Sequence, residues 1–147
     1  MKGFILSCSI LSTLLLFGCS MPSKPAPYGE EAAMFARKLS AQAENTSTLF
    51  IDAAESETAR MELETILISM KQQIEEFNKM RAPEQLMAHR QELVSKNRRA
   101  LSSIDEYLTA IENDAYTEDM KSNTDLSKQI EGIQSMAGEI NRSEEKK

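Results

Sequence analysis

A long run without glycine or proline, from residue 30 to residue 81, is the feature that most constrains the fold of this chain. Apolar side chains recur along it at alternating spacings of three and four, which places them on one face of an α-helix. One helix of this length would extend about 78 Å at 1.5 Å per residue, which is long for a single domain. Poor helix formers at 45–48 and capping residues within 52–58 favour two helices, at about 30–54 and 57–80, over a single kinked helix.

The sequence around Pro83 marks the clearest break, because proline fits the first turn of a helix and the following Glu84 complements the helix dipole. A third helix is predicted from about 83 to 113. Turn-forming residues at 113–117 then precede a fourth helix at about 117–141. These segments predict an all-α fold, an antiparallel helical bundle of three to four helices. An up-down-up-down arrangement of four is favoured over three helices with an extended first one.

The predicted core faces contain polar residues among the apolar ones. Leucine, isoleucine, methionine and alanine supply most of the apolar side chains, which favours helices over strands. The methionines at stripe positions are interpreted as core filling. The polar residues that interrupt the stripes are Gln42, Thr46, Ser56, Arg60, His89 and Asn97.

The first residues of the chain have the layout of an export signal. Residues 4–17 carry no charge and follow Lys2, and this apolar run is shorter than the roughly 20 residues needed to span a bilayer. Three prolines follow within 20–29, which predicts a semi-rigid spacer of about 30 Å if fully extended, with a disordered terminus that has no role as the alternative. Export and cleavage are therefore favoured over a retained membrane span.

The end of this signal, Leu16-Phe17-Gly18-Cys19, resembles the lipobox of bacterial lipoproteins. The resemblance implies that Leu16 is the hydrophobic position, Gly18 the small position and Cys19 the lipidated residue, while Phe17 stands where a small residue is usual. It also implies a covalent diacylglycerol and fatty acid on Cys19, with cleavage before it, and no other cofactor. The lipid bilayer is then a partner through this anchor.

Four regions follow from this interpretation. They are a cleaved signal peptide at 1–18, a lipidated tether at 19–29, a helical bundle at 30–142 and a frayed tail at 143–147. The implied location is the extracytoplasmic face of the bacterial cell membrane. In a cell with two membranes, Ser20 after the lipidated cysteine implies the outer membrane. The body also resembles small all-helical lipoproteins of Gram-positive bacteria, on the loose pattern of a proline-started helix followed by a histidine.

Composition excludes several classes of function. Losing residues 1–18 removes Lys2 and no acid, so 16 basic and 23 acidic residues remain, a balance unsuited to general nucleic-acid binding. The two cysteines, Cys8 and Cys19, lie in the signal and at the cleavage site, so an internal disulfide is not expected. His89 is the single histidine and lacks partners for a metal site or a catalytic triad. We therefore expect no metal and no enzymatic activity.

The third helix is predicted to be basic at its start and acidic at its end. The charged residues within 81–99 are mostly basic, whereas residues 105–119 contain acids and no base. This layout opposes the macrodipole, which favours acids at the start of a helix and bases at its end. One hypothesis is that the basic part contacts anionic lipid headgroups, and the alternative is that the charges pair with neighbouring helices. The basic residues concerned are Arg81, Arg90, Lys96, Arg98 and Arg99.

These features predict a membrane-anchored extracytoplasmic lipoprotein that acts as a non-enzymatic protein-interaction or accessory module of the bacterial cell envelope. The expected partner is another envelope protein. One alternative is a helical bundle that binds an apolar ligand in a cavity lined by leucine, isoleucine and methionine. Another alternative is a structural spacer.

Overall fold

The computed structural model describes residues 26–117, 120 and 122–146, and these residues form four α-helices and one short 3-10 helix. The 3-10 helix, Glu84–Leu86, directly precedes the third α-helix. The α-helices are α1 at Tyr28–Asp52, α2 at Glu57–Lys79, α3 at Met87–Glu112 and α4 at Thr124–Glu145.

The helices form a closed antiparallel ring. Helix α1 packs between α2 and α4, and α3 packs between the same two helices on the other side. The rings of Phe35 and Phe77 stack with centroids 4.2 Å apart, which pairs the early part of α1 with the end of α2. The predicted all-α bundle is confirmed, and it has four helices in the up-down-up-down order.

The core is built from the apolar stripes of the four helices. Side chains at the predicted spacings are withdrawn from solvent, and the hydrophobic effect of their burial is the main force that holds the bundle together. The largest fully buried apolar side chains are Phe50, Leu39, Leu63, Leu67, Met70, Ile74, Leu93, Ile104, Leu126, Ile133 and Ile140.

Two of the polar residues on the stripes, Gln42 and Asn97, have hydrogen-bond partners on a neighbouring helix. The Gln42 side-chain amide donates to Ser69 Oγ at 3.0 Å and joins α1 to α2. The fully buried Asn97 donates to Asn78 Oδ1 at 2.7 Å and joins α3 to α2. Such pairs offset the cost of burying polar groups and fix how the helices are aligned along their axes.

The break between α1 and α2 is confirmed. Ser56 has an extended backbone, with φ −130° and ψ 117°, and its Oγ accepts a hydrogen bond from the Ala59 backbone N–H at 3.4 Å. This is the N-cap that the sequence offered, and it lets the chain reverse direction over a few residues. One kinked helix from 30 to 80 is therefore not the arrangement present.

The predicted fourth helix, from about 117 to 141, is interrupted at Asn123. Thr117 Oγ1 accepts a hydrogen bond from the Met120 backbone N–H at 3.2 Å, and Met120 and Ser122 are helical. The long helix α4 begins only at Thr124, after Asn123 adopts a left-handed backbone with φ 48°. The Asn123 side-chain amide donates to Thr46 Oγ1 of α1 at 2.8 Å, and both residues are fully buried. This hydrogen bond between residues far apart in the sequence favours the left-handed turn at Asn123, a conformation that asparagine tolerates better than most residues.

The bundle also extends further at its two termini than predicted. Helix α1 starts at Tyr28 and α4 runs to Glu145, so residues assigned to the tether and to the frayed tail are helical. The reason is a direct contact between these ends, because Glu144 Oε2 accepts a hydrogen bond from the Gly29 backbone N–H at 2.6 Å. A carboxylate at a helix N-terminus satisfies a free donor and complements the helix dipole.

Gly29 is required by the close approach of α1 and α4. A Cβ atom added there would lie 2.8 Å from the Asn141 Cα and 2.7 Å from Glu144 Oε2. Gly29→Ala should therefore lower the free energy of unfolding by about 1–3 kcal/mol, as overpacking does. Urea unfolding monitored by circular dichroism measures this change.

Gly132→Ala is the matched control, because a Cβ there would meet nothing closer than 3.9 Å, the Lys96 Nζ. Alanine inside a helix is favoured over glycine by about 0.5–1 kcal/mol, so this variant should be stabilised. Equal effects of the two substitutions would contradict the close approach at Gly29.

Candidate interaction site

The lipidation residues predicted from the sequence lie outside the described residues. These are Leu16, Phe17, Gly18 and Cys19, and the description begins at Ala26. The end of the bundle that holds the first residues of α1 also holds the last residues of α2 and α4 and the start of α3. We call it the Ala26 end, because a tether from Cys19 would join the bundle there.

Two of the five basic residues proposed for membrane contact have partners inside the protein. Arg90 donates through Nε to the backbone oxygen of Met80 at 2.9 Å and through Nη2 to the backbone oxygen of Asn78 at 2.8 Å. It thus satisfies carbonyl groups left unpaired at the C-terminal end of α2. Lys96 Nζ lies 3.8 Å from a carboxylate oxygen of Glu92, one turn earlier on α3.

The other three basic residues are exposed, but they do not lie together. Arg81 is in the turn after α2, at the Ala26 end. Arg98 and Arg99 lie 11 and 12 residues beyond the start of α3 at Met87, about 17 Å along its axis. This is about twice the 8 Å Debye length at physiological ionic strength, so they act weakly on a surface at the Ala26 end. Membrane contact by these residues stays a prediction.

His89, one of the polar residues that interrupt the apolar stripes, lies partly buried near the start of α3. Its Nδ1 atom is buried and has no hydrogen-bond partner among the described residues. Within the same residues, no group of three or more His, Cys, Asp or Glu side chains is arranged to hold a metal ion.

A first groove, the α1–α2 groove, lies between those helices near the Ala26 end and has a volume of about 470 Å³. The stacked rings of Phe35 and Phe77 form part of its lining. Gln73 also lines it, and the Gln73 amide donates to Gln42 Oε1 at 2.9 Å. The remaining lining side chains are Glu31, Met34, Lys38, Ser69, Gln72, Glu76 and Met80.

A second groove, the α2–α3 groove, follows the outer face of the bundle and has a volume of about 680 Å³. Its apolar surface is formed by Ile68 of α2 with Leu108 and Ile111 of α3. Ile111 belongs to the buried core, Leu108 packs against that core, and Ile68 is 40% exposed. The polar residues that line it are Glu57, Arg60, Glu64, Lys71, Asp105, Thr109 and Glu112.

One ion pair closes each end of this groove, and each joins α2 either to α3 or to the turn that follows α3. Lys71 Nζ lies 2.6 Å from Asp105 Oδ1, and this hydrogen bond raises the pKa of the Lys71 ammonium. At the other end, Arg60 Nη1 lies 3.6 Å from Asp114 Oδ1, and Arg60 also pairs with Glu57 on its own helix. The carboxylates of Glu64 and Glu112 form no ion pair with any described residue.

Two exposed apolar side chains of α2 lie in or next to this groove. Met61 is 61% exposed and Ile68 is 40% exposed. They are seven residues apart, so they lie on one face of the helix. Sequence reasoning missed this face because it followed the buried stripe through Leu63 and Leu67. Apolar residues that fall off the stripe at a spacing of seven were the available signal.

The fold and the grooves define the class of protein, an antiparallel four-helix bundle with open grooves on its outer surface. The chain belongs to DUF6376, a family of unknown function whose model matches residues 28–142. The match covers α1 to α3 and all but the last three residues of α4. No curated protein and no solved structure matches the chain significantly. None of the helices among the described residues is long and apolar enough to cross a membrane.

Tyr28, at the Ala26 end, is buried and should make the free energy of unfolding depend on pH. Its ring packs 5.7 Å from that of Phe77, and its hydroxyl has no hydrogen-bond partner among the described residues. Burial raises the pKa of Tyr28, and the nearby Arg90 charge opposes this in part. Because the unfolded tyrosine ionises first, the stability due to the neutral phenol is complete below about pH 10 and is lost as the pH rises through the folded pKa.

Tyr28→Phe should therefore be neutral or slightly stabilising at pH 7, because it removes an unpaired buried hydroxyl. At about pH 11 it should retain stability that the wild type loses. Urea unfolding at the two pH values measures both effects. Tyr116→Phe, at a more exposed site, should show a smaller gain. An identical loss between the two pH values in the wild type and in Tyr28→Phe would refute this assignment.

Proposed function

We propose that this protein is a lipid-anchored, non-enzymatic interaction module on the extracytoplasmic face of the bacterial cell envelope. The observation that carries the interaction role is the outer face of α2, where Met61 and Ile68 are exposed beside the open α2–α3 groove. A contiguous apolar patch with a polar rim is typical of surfaces that bind other proteins, and Met61 and Ile68 expose neighbouring apolar surface on one face of α2. Anchoring is supported by the Leu16–Cys19 pattern.

The position of this face suits an anchored protein. The α2–α3 groove spans Glu57 to Lys71 on α2, so it lies about 12 to 33 Å from the end of that helix at Lys79. A bilayer attached at the Ala26 end would leave the groove on the side of the bundle, open to another envelope protein. The anchor would then keep the module near membrane-bound partners at a raised effective concentration.

A second candidate function is the binding of an apolar ligand. The α1–α2 groove favours it, because its volume is in the range typical of ligand pockets and Met34, Phe35 and Phe77 line it. The charged residues that also line this groove fit a purely apolar ligand less well. A role as a spacer depends on neither groove.

Anchoring is tested by metabolic labelling with an alkyne fatty acid, followed by fractionation of cells that express wild type, Cys19→Ser or Cys8→Ser. Cys8→Ser is the matched control, because it removes the other cysteine of the chain and leaves the lipobox intact. Wild type and Cys8→Ser should be labelled and membrane-bound. Cys19→Ser should lose both properties, because two or more acyl chains are needed for durable attachment.

Chemical crosslinking in the same cells tests the interaction role. A discrete protein adduct is expected with wild type and Cys8→Ser and should be lost or strongly reduced with Cys19→Ser. Fatty-acid labelling of Cys19→Ser at the wild-type level would contradict lipidation at Cys19, whereas membrane retention without label would point to the uncleaved apolar leader at 4–17. Normal anchoring without any discrete protein adduct would contradict the interaction role and favour ligand binding or spacing.

A further inference from the structure

We propose that the α2–α3 groove binds a cationic amphipathic helix of about three turns, contributed by a protein partner. This inference specifies the partner class for the interaction role proposed above and rests on that role. It depends on three observations of the groove, which are its apolar surface, its uncompensated carboxylates and the two ion pairs that limit its length.

The apolar surface of the groove matches one face of a helix. Ile68 is 40% exposed, and it lies beside Leu108 and Ile111 across the interface between α2 and α3. An amphipathic helix that places apolar side chains at positions i, i+3 or i+4, and i+7 would contact Ile68 and the accessible part of Leu108, while the buried Ile111 forms the floor of the groove. The two helices of the bundle already provide the sides of such a groove.

The charge of the groove determines the sign of the partner. Its lining contains the acids Glu57, Glu64, Asp105 and Glu112 and the bases Arg60 and Lys71. Both bases are engaged in ion pairs, whereas Glu64 on α2 and Glu112 on α3 have no ion-pair partner among the described residues. Lysine or arginine residues flanking the apolar face of a bound helix would pair with these two carboxylates, one on each side.

The ion pairs at its ends give the groove a length. Lys71 pairs with Asp105 at one end and Arg60 pairs with Asp114 at the other. The 11 residue steps between Arg60 and Lys71 correspond to about 16 Å of helix. A partner helix of about 11 residues, or three turns, spans this distance. Its basic residues are expected to lie between these two ion pairs, where Glu64 and Glu112 have no ion-pair partner among the described residues.

The probe for this inference is a labelled amphipathic helix of about 14 leucine and lysine residues, long enough for three turns. The full lipidated protein is held in phosphatidylcholine nanodiscs, and binding is measured by fluorescence anisotropy with empty nanodiscs subtracted. We expect saturable binding that weakens with salt, because the charges are exposed. The same peptide with glutamate in place of lysine should not bind.

Two matched substitutions test the apolar contact. Ile68→Gln should weaken binding about tenfold, as the loss of a central apolar anchor does. Met87→Gln is the control, because Met87 is also 40% exposed but lies at the start of α3, outside the groove. Its affinity should be unchanged. Equal affinities of these two variants would overturn the proposed site.

A second matched pair tests the charge. The double variant Glu64→Gln/Glu112→Gln should lose about tenfold in affinity and show a weaker dependence on salt. The control Glu44→Gln/Glu131→Gln removes the same number of exposed carboxylates from α1 and α4. It should bind like the wild type. Equal losses in both double variants would show general attraction between an acidic protein and a cationic peptide, and would overturn the groove as a site.

The two proposals can fail separately. Absence of saturable peptide binding, together with a discrete adduct of the anchored protein in cells, would refute the groove as the site and leave the interaction role standing. Groove-dependent peptide binding, together with normal fatty-acid labelling of Cys19→Ser, would refute the lipid anchor at Cys19 and leave the site standing.

Discussion

The contact between α1 and α4 is the constraint on which the rest of the structure depends. It joins the first and last helices of the bundle and closes the ring. Gly29 and Glu144 meet at one end of this contact, and Thr46 and Asn123 meet at the other, with both hydrogen bonds linking residues far apart in the chain. The only cysteines are Cys8 and Cys19, so closure of the bundle at 28–145 relies on burial and hydrogen bonding alone.

Much of the fold could be predicted because helical periodicity is a local property. The stripe through Leu63, Leu67 and Met70 requires only a spacing of three and four, and Ser56 caps α2 through a neighbour three residues away. The start of α4 could not be predicted in this way. Asn123 turns left-handed next to Thr46, a partner 77 residues earlier, and such a pairing is absent from any local pattern.

The candidate site was less accessible to sequence reasoning than the fold. The acidic character of the second half of α3 was visible, but its meaning depends on which helix lies beside it. The structure places Asp105 against Lys71 and leaves Glu112 without an ion-pair partner among the described residues. The groove between α2 and α3 lies opposite the α1–α4 contact in the ring, so changes in the groove can be separated from changes that affect closure of the bundle.

Our central proposal is that an anchored bundle presents the α2–α3 groove to a cationic helix of an envelope protein. Site-specific photocrosslinking in intact cells tests it most directly, with the photoreactive residue at Ile68 or, as a control, at the equally exposed Met87. We expect an adduct at position 68 alone, whose sequenced partner peptide is amphipathic and rich in lysine or arginine. The same adduct at both positions, or an acidic partner peptide at position 68, would contradict it.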